Sequence, residues 1–241
     1  MPKRALNQDR GRMSENWDEE GSRYAEVRPS VAIVSTVPDD LVAMLDLLAQ
    51  TIVEALGFGV AAVNIARPDG SLEVISVAGD QQAKETLLGT VDSAEVWDRM
   101  LAASEPWGRL RFADHRSEAA NAEMLMWVPD IAPSAAEDAW HPHDALFAPL
   151  ISADGSRLGI LSVDLPRDGR RPDPATCRAL EAFAVSTALA IEHATLRSRT
   201  EASEQSFKQL RATTSSRASE TAPSSWRGLD TRWPCALRND H

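Results

Sequence analysis

Twice the chain writes two β-rich runs separated by a five-residue turn with Asp-Gly at its centre, and this constrains the fold more than any other feature. Phe58–Ala66 and residues 72–78 flank Arg67-Pro-Asp-Gly-Ser71; Ala145–Ile151 and residues 158–165 flank Ser152-Ala-Asp-Gly-Ser156. Each pair predicts a β-hairpin, since Asp-Gly tolerates the backbone reversal that brings two strands antiparallel. Four strands of one antiparallel sheet are thereby specified, and a sheet needs helices to cover its apolar face.

The covering helices are written at either end. Over 39–56, Leu41, Leu45, Leu48, Ile52 and Leu56 recur on one helical face. Thr36 offers a side-chain cap, Pro38 suits the first turn, Asp39 and Asp40 complement the helix dipole, and Gly57 is a natural stop. After Pro172-Asp-Pro174 a long helix sets Leu180, Phe183, Ala184, Thr187, Ile191 and Ala194 on one face. Between the hairpins the pattern predicts a short helix near 93–103, a strand at 108–112 and a loop-rich segment over 113–144. Gly57-x-Gly59 precedes a strand and reads as the helix stop rather than a phosphate loop. The fold class is therefore α/β (α+β): an antiparallel sheet covered by terminal helices, with a long loop-rich segment over the remaining face.

Residues 1–37 show no sustained period and are expected to form a flexible leader. Beyond 197–211, an exit helix whose apolar face thins, residues 212–241 are expected to be a disordered tail, with a shifted reading frame preferred as its origin. The net charge of −11 opposes phosphate backbones and anionic lipid surfaces, so no nucleic acid and no membrane are expected as partners. No apolar run reaches the ~20 residues of a bilayer span, and the N-terminus lacks the apolar core of a secretory signal. A cytoplasmic location is the expectation. Cys177 and Cys235 lie far apart without neighbouring Cys or His at metal-ligand spacing, which argues against disulfide and zinc frameworks.

Four segments carry a resemblance: residues 47–58, residues 107–115 (Trp-Gly-Arg-Leu-Arg-Phe-Ala-Asp-His), residues 140–150 (Trp-His-Pro-His-Asp-Ala-Leu-Phe-Ala-Pro-Leu) and residues 159–166 (Gly-Ile-Leu-Ser-Val-Asp-Leu-Pro). With them, residues 38–196 resemble a GAF domain, and in particular the sensor GAF domains that precede GGDEF diguanylate cyclase domains. The resemblance implies a non-catalytic module that senses a small molecule or a partner and signals through its C-terminal helix. In such a fold the middle loop encloses a pocket with the sheet, so a ligand site is expected at Asp114, His115, Trp127, Trp140 and His143. The ligand and any cofactor are unspecified.

The same residues have plainer readings. Loop histidines such as His115, His141 and His143 are more often surface or capping groups than metal or haem ligands, and no metal is assigned. Trp97 is expected in the core, while Trp127 and Trp140 are left open between core and pocket floor. Asp164 is either a buried acceptor on the pocket floor or a strand-end residue meeting solvent, and the second is preferred. Thiol chemistry needs two cysteines held together, which their positions do not suggest. The expectation is a sensor that pairs as a parallel homodimer through its terminal helices, along Leu189, Leu196, Ser203 and Leu210, with its output domain absent from this chain. The alternative is a protein-interaction or dimerisation module with a vestigial pocket.

Overall fold

The structure, a computed structural model, describes residues 37–117, 126–132, 134, 136 and 138–220, with side chains beyond residue 201 described only in part. Two compact units divide the chain, Met1–Leu196 and Arg197–His241. In the first unit the described residues form a seven-stranded antiparallel sheet with helices on both faces.

The chain enters through helix α1 (Asp39–Leu56), which buries Leu41, Leu45, Ala49, Ile52 and Val53. Pro38 occupies the cap position, with no side-chain cap among the described residues; Thr36, the expected cap, lies outside them. Gly57 ends α1 in the left-handed region at φ 74°, where a side chain would be strained. Strands β1 (Phe58–Ala66) and β2 (Leu72–Gly79) form the first hairpin, and β6 (Ala145–Ile151) and β7 (Arg157–Pro166) the second. Between them come α2 (Gln81–Leu87), β3 (Val91–Asp92), α3 (Ala94–Ala103), β4 (Glu105–Trp107) and β5 (Leu110–Ala113). The strand expected at 108–112 is β5, shifted, and Gly108 turns it back on β4.

The strand order is β3-β2-β1-β7-β6-β5-β4. Joining β1 to β7 unites the two hairpins at the centre of the sheet, with Val60 opposite Asp164 and Ala62 opposite Ser162. Alternation then sorts the side chains of each strand onto two faces. One face carries Ala61, Val63, Ile65, Leu146, Leu161 and Val163 into the main core, beneath α1 and the first part of α4 (Pro174–Glu220) through Leu180, Ala184, Ala188 and Ile191. The other face carries Val60 and Ala62 against α2, and Ile160, Ala145 and Phe147 against α3.

Helix α4 is continuous through Glu220, so residues 212–220, read from sequence as part of a disordered tail, are helical. The leader at 1–36 and the segment 221–241 lie outside the described residues. So does the side chain of Leu210, one of the expected seam positions.

Candidate functional site

On the sheet face away from α1 and α4, a recess half open to solvent, about 570 Å³ when the open solvent within it is counted, lies between the strands, α2, α3 and the middle of the loop at Met126 and Trp127. Strand periodicity builds its floor: Val60, Ala62 and Asn64 from β1, Ser162 and Asp164 from β7, and Ala145 and Phe147 from β6. Trp97 of α3, Leu87 of α2, and Met126 and Trp127 of the loop supply the walls.

Most of this lining is apolar, and the polar groups within it are few and fixed. Asn64, buried in mid-strand, donates through Nδ2 to the carbonyl of Ile160 at 3.1 Å and to Ser162 Oγ at 3.2 Å. Asp164 Oδ1 accepts from Trp140 Nε1 at 2.8 Å and from the backbone N–H of Leu165. Leu165 stands at φ 54°, in the left-handed region that side chains other than glycine rarely adopt. Burial pushes the Asp164 carboxyl up to about 7, and Asp144 nearby adds to the rise; the Trp140 and Leu165 hydrogen bonds act against it. Asp164 is thus a half-buried acceptor on the cavity floor rather than the solvent-facing strand end that was preferred. Trp97, 4% exposed, packs edge-on against Phe147, with ring centroids 5.5 Å apart. Its Nε1–H has no hydrogen-bond partner among the described residues.

Of the five residues expected to line a ligand site, the structure puts Trp127 alone on this cavity. Trp140 is buried in the main core, tilted against Phe112, and reaches the cavity only through its hydrogen bond to Asp164. Asp114, His115 and His143 belong to a separate cluster around the fully buried Asp144. Asp144 Oδ1 accepts from the His115 backbone N–H at 2.9 Å and from His115 Nδ1 at 2.8 Å; Oδ2 accepts from the His141 N–H at 3.1 Å and from Arg171 Nη2 at 3.4 Å. Arg171 also donates to Asp114 Oδ2 at 2.7 Å and lies 4.6 Å over the Phe112 ring. His143 is exposed, and its backbone N–H meets His141 Nδ1 at 3.2 Å.

Ligand-capable atoms of His115, His141 and Asp144 fall within 4.8 Å of one another, a spacing a metal ion would accept. Hydrogen bonds already engage Asp144 and one nitrogen of each ring. A guanidinium shares the Asp144 carboxylate, and His141 Nδ1 takes a backbone N–H, which puts the proton of the neutral ring on Nε2. His141 stacks on His115 at 3.8 Å, and burial together with the His115 ring holds its pKa below the usual histidine range. The arrangement is a clasp that ties the start of the middle loop, its end and the Arg171 segment together.

The sequence reading missed Asn64 and Ser162 as floor residues and held the floor position of Asp164 as the less favoured of two readings. A signal existed: all three are polar residues at alternate positions of strands that are otherwise apolar. Cys177 is buried in the main core and its thiol is pushed up to about 12 by burial and by Glu181 and Asp173, so it offers no thiolate. Cys235 lies outside the described residues.

A sequence model of the GAF domain matches residues 40–191. No curated protein matches the chain. Among solved structures, the GAF-B domain of DevS from Mycobacterium smegmatis is 17% identical with a TM-score of 0.45, over 67% of this chain and 99% of that one. The GAF domain/HD domain protein from Geobacter sulfurreducens is 12% identical with a TM-score of 0.47, over 65% and 95%. The blue-light absorbing form of the Thermosynechococcus elongatus PixJ GAF domain is 12% identical with a TM-score of 0.46, over 71% and 96%. With the family match covering more than half its length, the chain belongs to the GAF domain family.

Proposed function

We propose that this chain is a regulatory module, without catalysis of its own, that binds a small molecule on the sheet face opposite α1 and α4 and relays the event through α4. The observation that carries this reading is the cavity itself: an apolar recess with a few fixed polar groups, the form small-molecule sites take. Its floor is built from β1, β6 and β7, and β1 and β7 also send side chains into the core shared with α1 and α4, so a shift on one face is felt on the other. The buried Cys177 thiol supports a non-catalytic role. The resemblance to sensors that precede diguanylate cyclase domains supports a cytoplasmic signalling setting with an output domain of that class outside this chain.

The test is a metabolite library scanned by thermal shift against the full chain and against Ala62→Trp, which fills the cavity. At least one compound is expected to raise the melting temperature of the natural protein and not that of the variant, and to alter hydrogen exchange in α4. A library whose every effect survives the filling would overturn the assignment of the site.

A second reading, as a dimerisation module, has its own support. Leu47 of α1 is 68% exposed, and Leu189 and Leu196 of α4 are 59% and 55% exposed, more than scattered surface apolar residues require. We propose that these faces pair two copies in parallel. The two readings are compatible, because a sensor that signals through a helix pair needs the pair.

A further inference from the structure

The recess on the free sheet face holds charge of one sign. Asp164 of β7 and Asp92 of β3 both line it, and among the described lining residues there is no lysine, arginine or histidine. Strand alternation puts Asp164 on the recess side with Ser162, and their partners across β1, Val60 and Ala62, line the same recess. Both hydrogen bonds that Asp164 accepts, from Trp140 Nε1 and from the Leu165 N–H, fall on Oδ1. Oδ2 accepts none among the described residues; it is not one of their buried unpaired atoms, and Asp164 is only half-buried, so this oxygen keeps accessible surface. A neutral apolar ligand seated here would strip water from Oδ2 and leave it unanswered, which is costly for a carboxylate. An anion would add repulsion from both acids. A positively charged donor answers the oxygen and the charge together. Met126, Trp127 and Phe147 offer apolar and aromatic surface to the body that carries that donor.

We propose that the recess takes a small organic cation, a protonated amine on a compact apolar body, with the ammonium donating to Asp164 Oδ2 and Asp92 adding a second negative charge. This rests on the sensor function above and narrows it to one class of ligand. A pH dependence comes with it. In the empty site burial holds the Asp164 carboxyl up at about 7, with Asp144 adding to the rise, so near neutrality the group is protonated part of the time. Asp92 is the other charged group on the recess; the side chains that β1, β2, β6, α2 and α3 bring to it are uncharged. The ammonium binds the ionised carboxylate, so the Asp164 proton leaves to solvent as the ligand enters, and affinity rises with pH until the carboxyl is ionised on its own.

The experiment is isothermal calorimetry on the full chain with phenethylamine and tryptamine as cations, and with phenethyl alcohol and phenylacetate as neutral and anionic counterparts of the first. At least one amine is expected to bind, more tightly than the alcohol, and phenylacetate is expected not to bind. Amine affinity is expected to rise about tenfold between pH 6 and pH 8, the change in ionised fraction of a group that titrates near 7, with release of a proton. Asp164→Asn is expected to weaken the amine about tenfold at pH 8, to abolish its pH dependence and to leave the alcohol unchanged. Should Asp164→Asn fail to fold, Asp92→Asn is expected to weaken the amine about threefold, and the pH profile of the natural protein still reads Asp164. Preferential binding of the alcohol or of phenylacetate overturns the ligand class while the sensor function stands. Amine binding that neither pH nor substitution alters overturns the assigned contact. Failure of every probe overturns this proposal and leaves the sensor function to the Ala62→Trp comparison.

Discussion

Asp164 is a carboxyl group that the fold keeps half out of water. Its unfolded-chain value is 3.8 and its folded value about 7, raised first by burial. Between those two values the folded protein holds a proton the unfolded chain has released, so stability falls as pH rises through that window. Asp164→Asn removes the ionisation and retains an acceptor for Trp140 Nε1. The variant is therefore expected to exceed the natural protein in stability by roughly 1–2 kcal/mol near pH 8, with the gap closing towards about pH 4. Circular-dichroism melts of both proteins across that range decide it, and a gap independent of pH would contradict the account. Asp144 makes the opposite case. It is fully buried and already answered by two backbone N–H groups, a histidine ring and a guanidinium. Asp144→Ala leaves those donors without their acceptor, and urea denaturation should show a loss of about 2–4 kcal/mol. Asp144→Asn, keeping one acceptor oxygen, should lose less.

Among the elements, the central pair β1 and β7 is under the tightest geometric constraint. A Cβ built on Gly159 would lie 2.1 Å from the backbone oxygen of Asn64. Neither strand can move away without breaking its ladder, since β1 also pairs with β2 and β7 with β6. Gly159→Ala is expected to cost about 1–3 kcal/mol, the usual range for forcing extra atoms into a packed site, and more if the Asn64 to Ile160 bond is lost. Differential scanning calorimetry measures it, and a neutral effect would mean that the strands separate more easily than the ladder implies. The middle elements illustrate a different point. Helix α2 has seven residues and buries only Ala83, so it writes no apolar period, and β3 is two residues long. The signal for α2 was the capping residue Asp80, whose Oδ1 accepts from the N–H groups of Gln82 and Ala83. Without a following apolar stripe, an aspartate in a polar segment looks like any turn.

At the scale of the molecule, most of the exposed large apolar residues among those described lie on the two terminal helices, with Leu88, Val91 and Val128 elsewhere. Met44 and Leu47 on α1 and Val185, Leu189 and Leu196 on α4 are all exposed. Two copies meeting there would bury apolar surface worth about 25 cal/mol per Å², less the entropy of association, which gives a weak to moderate dimer. Sedimentation equilibrium at tens of micromolar is expected to show dimer for the natural protein and monomer for the double substitution Leu47→Glu and Leu189→Glu. A natural protein that stays monomeric, or a double variant that stays dimeric, would reject these faces. Ser203, one of the four heptad positions expected along α4, is exposed, while the side chain of Leu210 lies outside the described residues. The upper part of the seam therefore rests on Leu189 and Leu196.

By itself the sequence determined every element whose information is local and repeated. Helix α1 runs over the expected 39–56, and both hairpins fall within a residue of their expected bounds, because a period of 3.6 or 2 ended by glycine or Asp-Gly is a complete instruction. What it did not determine is which of its polar residues meet. The expected ligand residues were grouped because they are close along the chain, in the loop where specificity often resides. Tertiary structure grouped residues by face instead. Pairing of β1 with β7 set Asn64 beside Ser162 across nearly a hundred residues of chain and placed Asp164 two positions further along the same side. The same packing drew Asp114, His115 and Asp144 into a clasp with Arg171, and sent the Trp140 ring into the core with only its N–H turned to Asp164. Strand alternation says that a residue has a side; only the closed sheet and the helices laid on it decide which side is core and which is cavity.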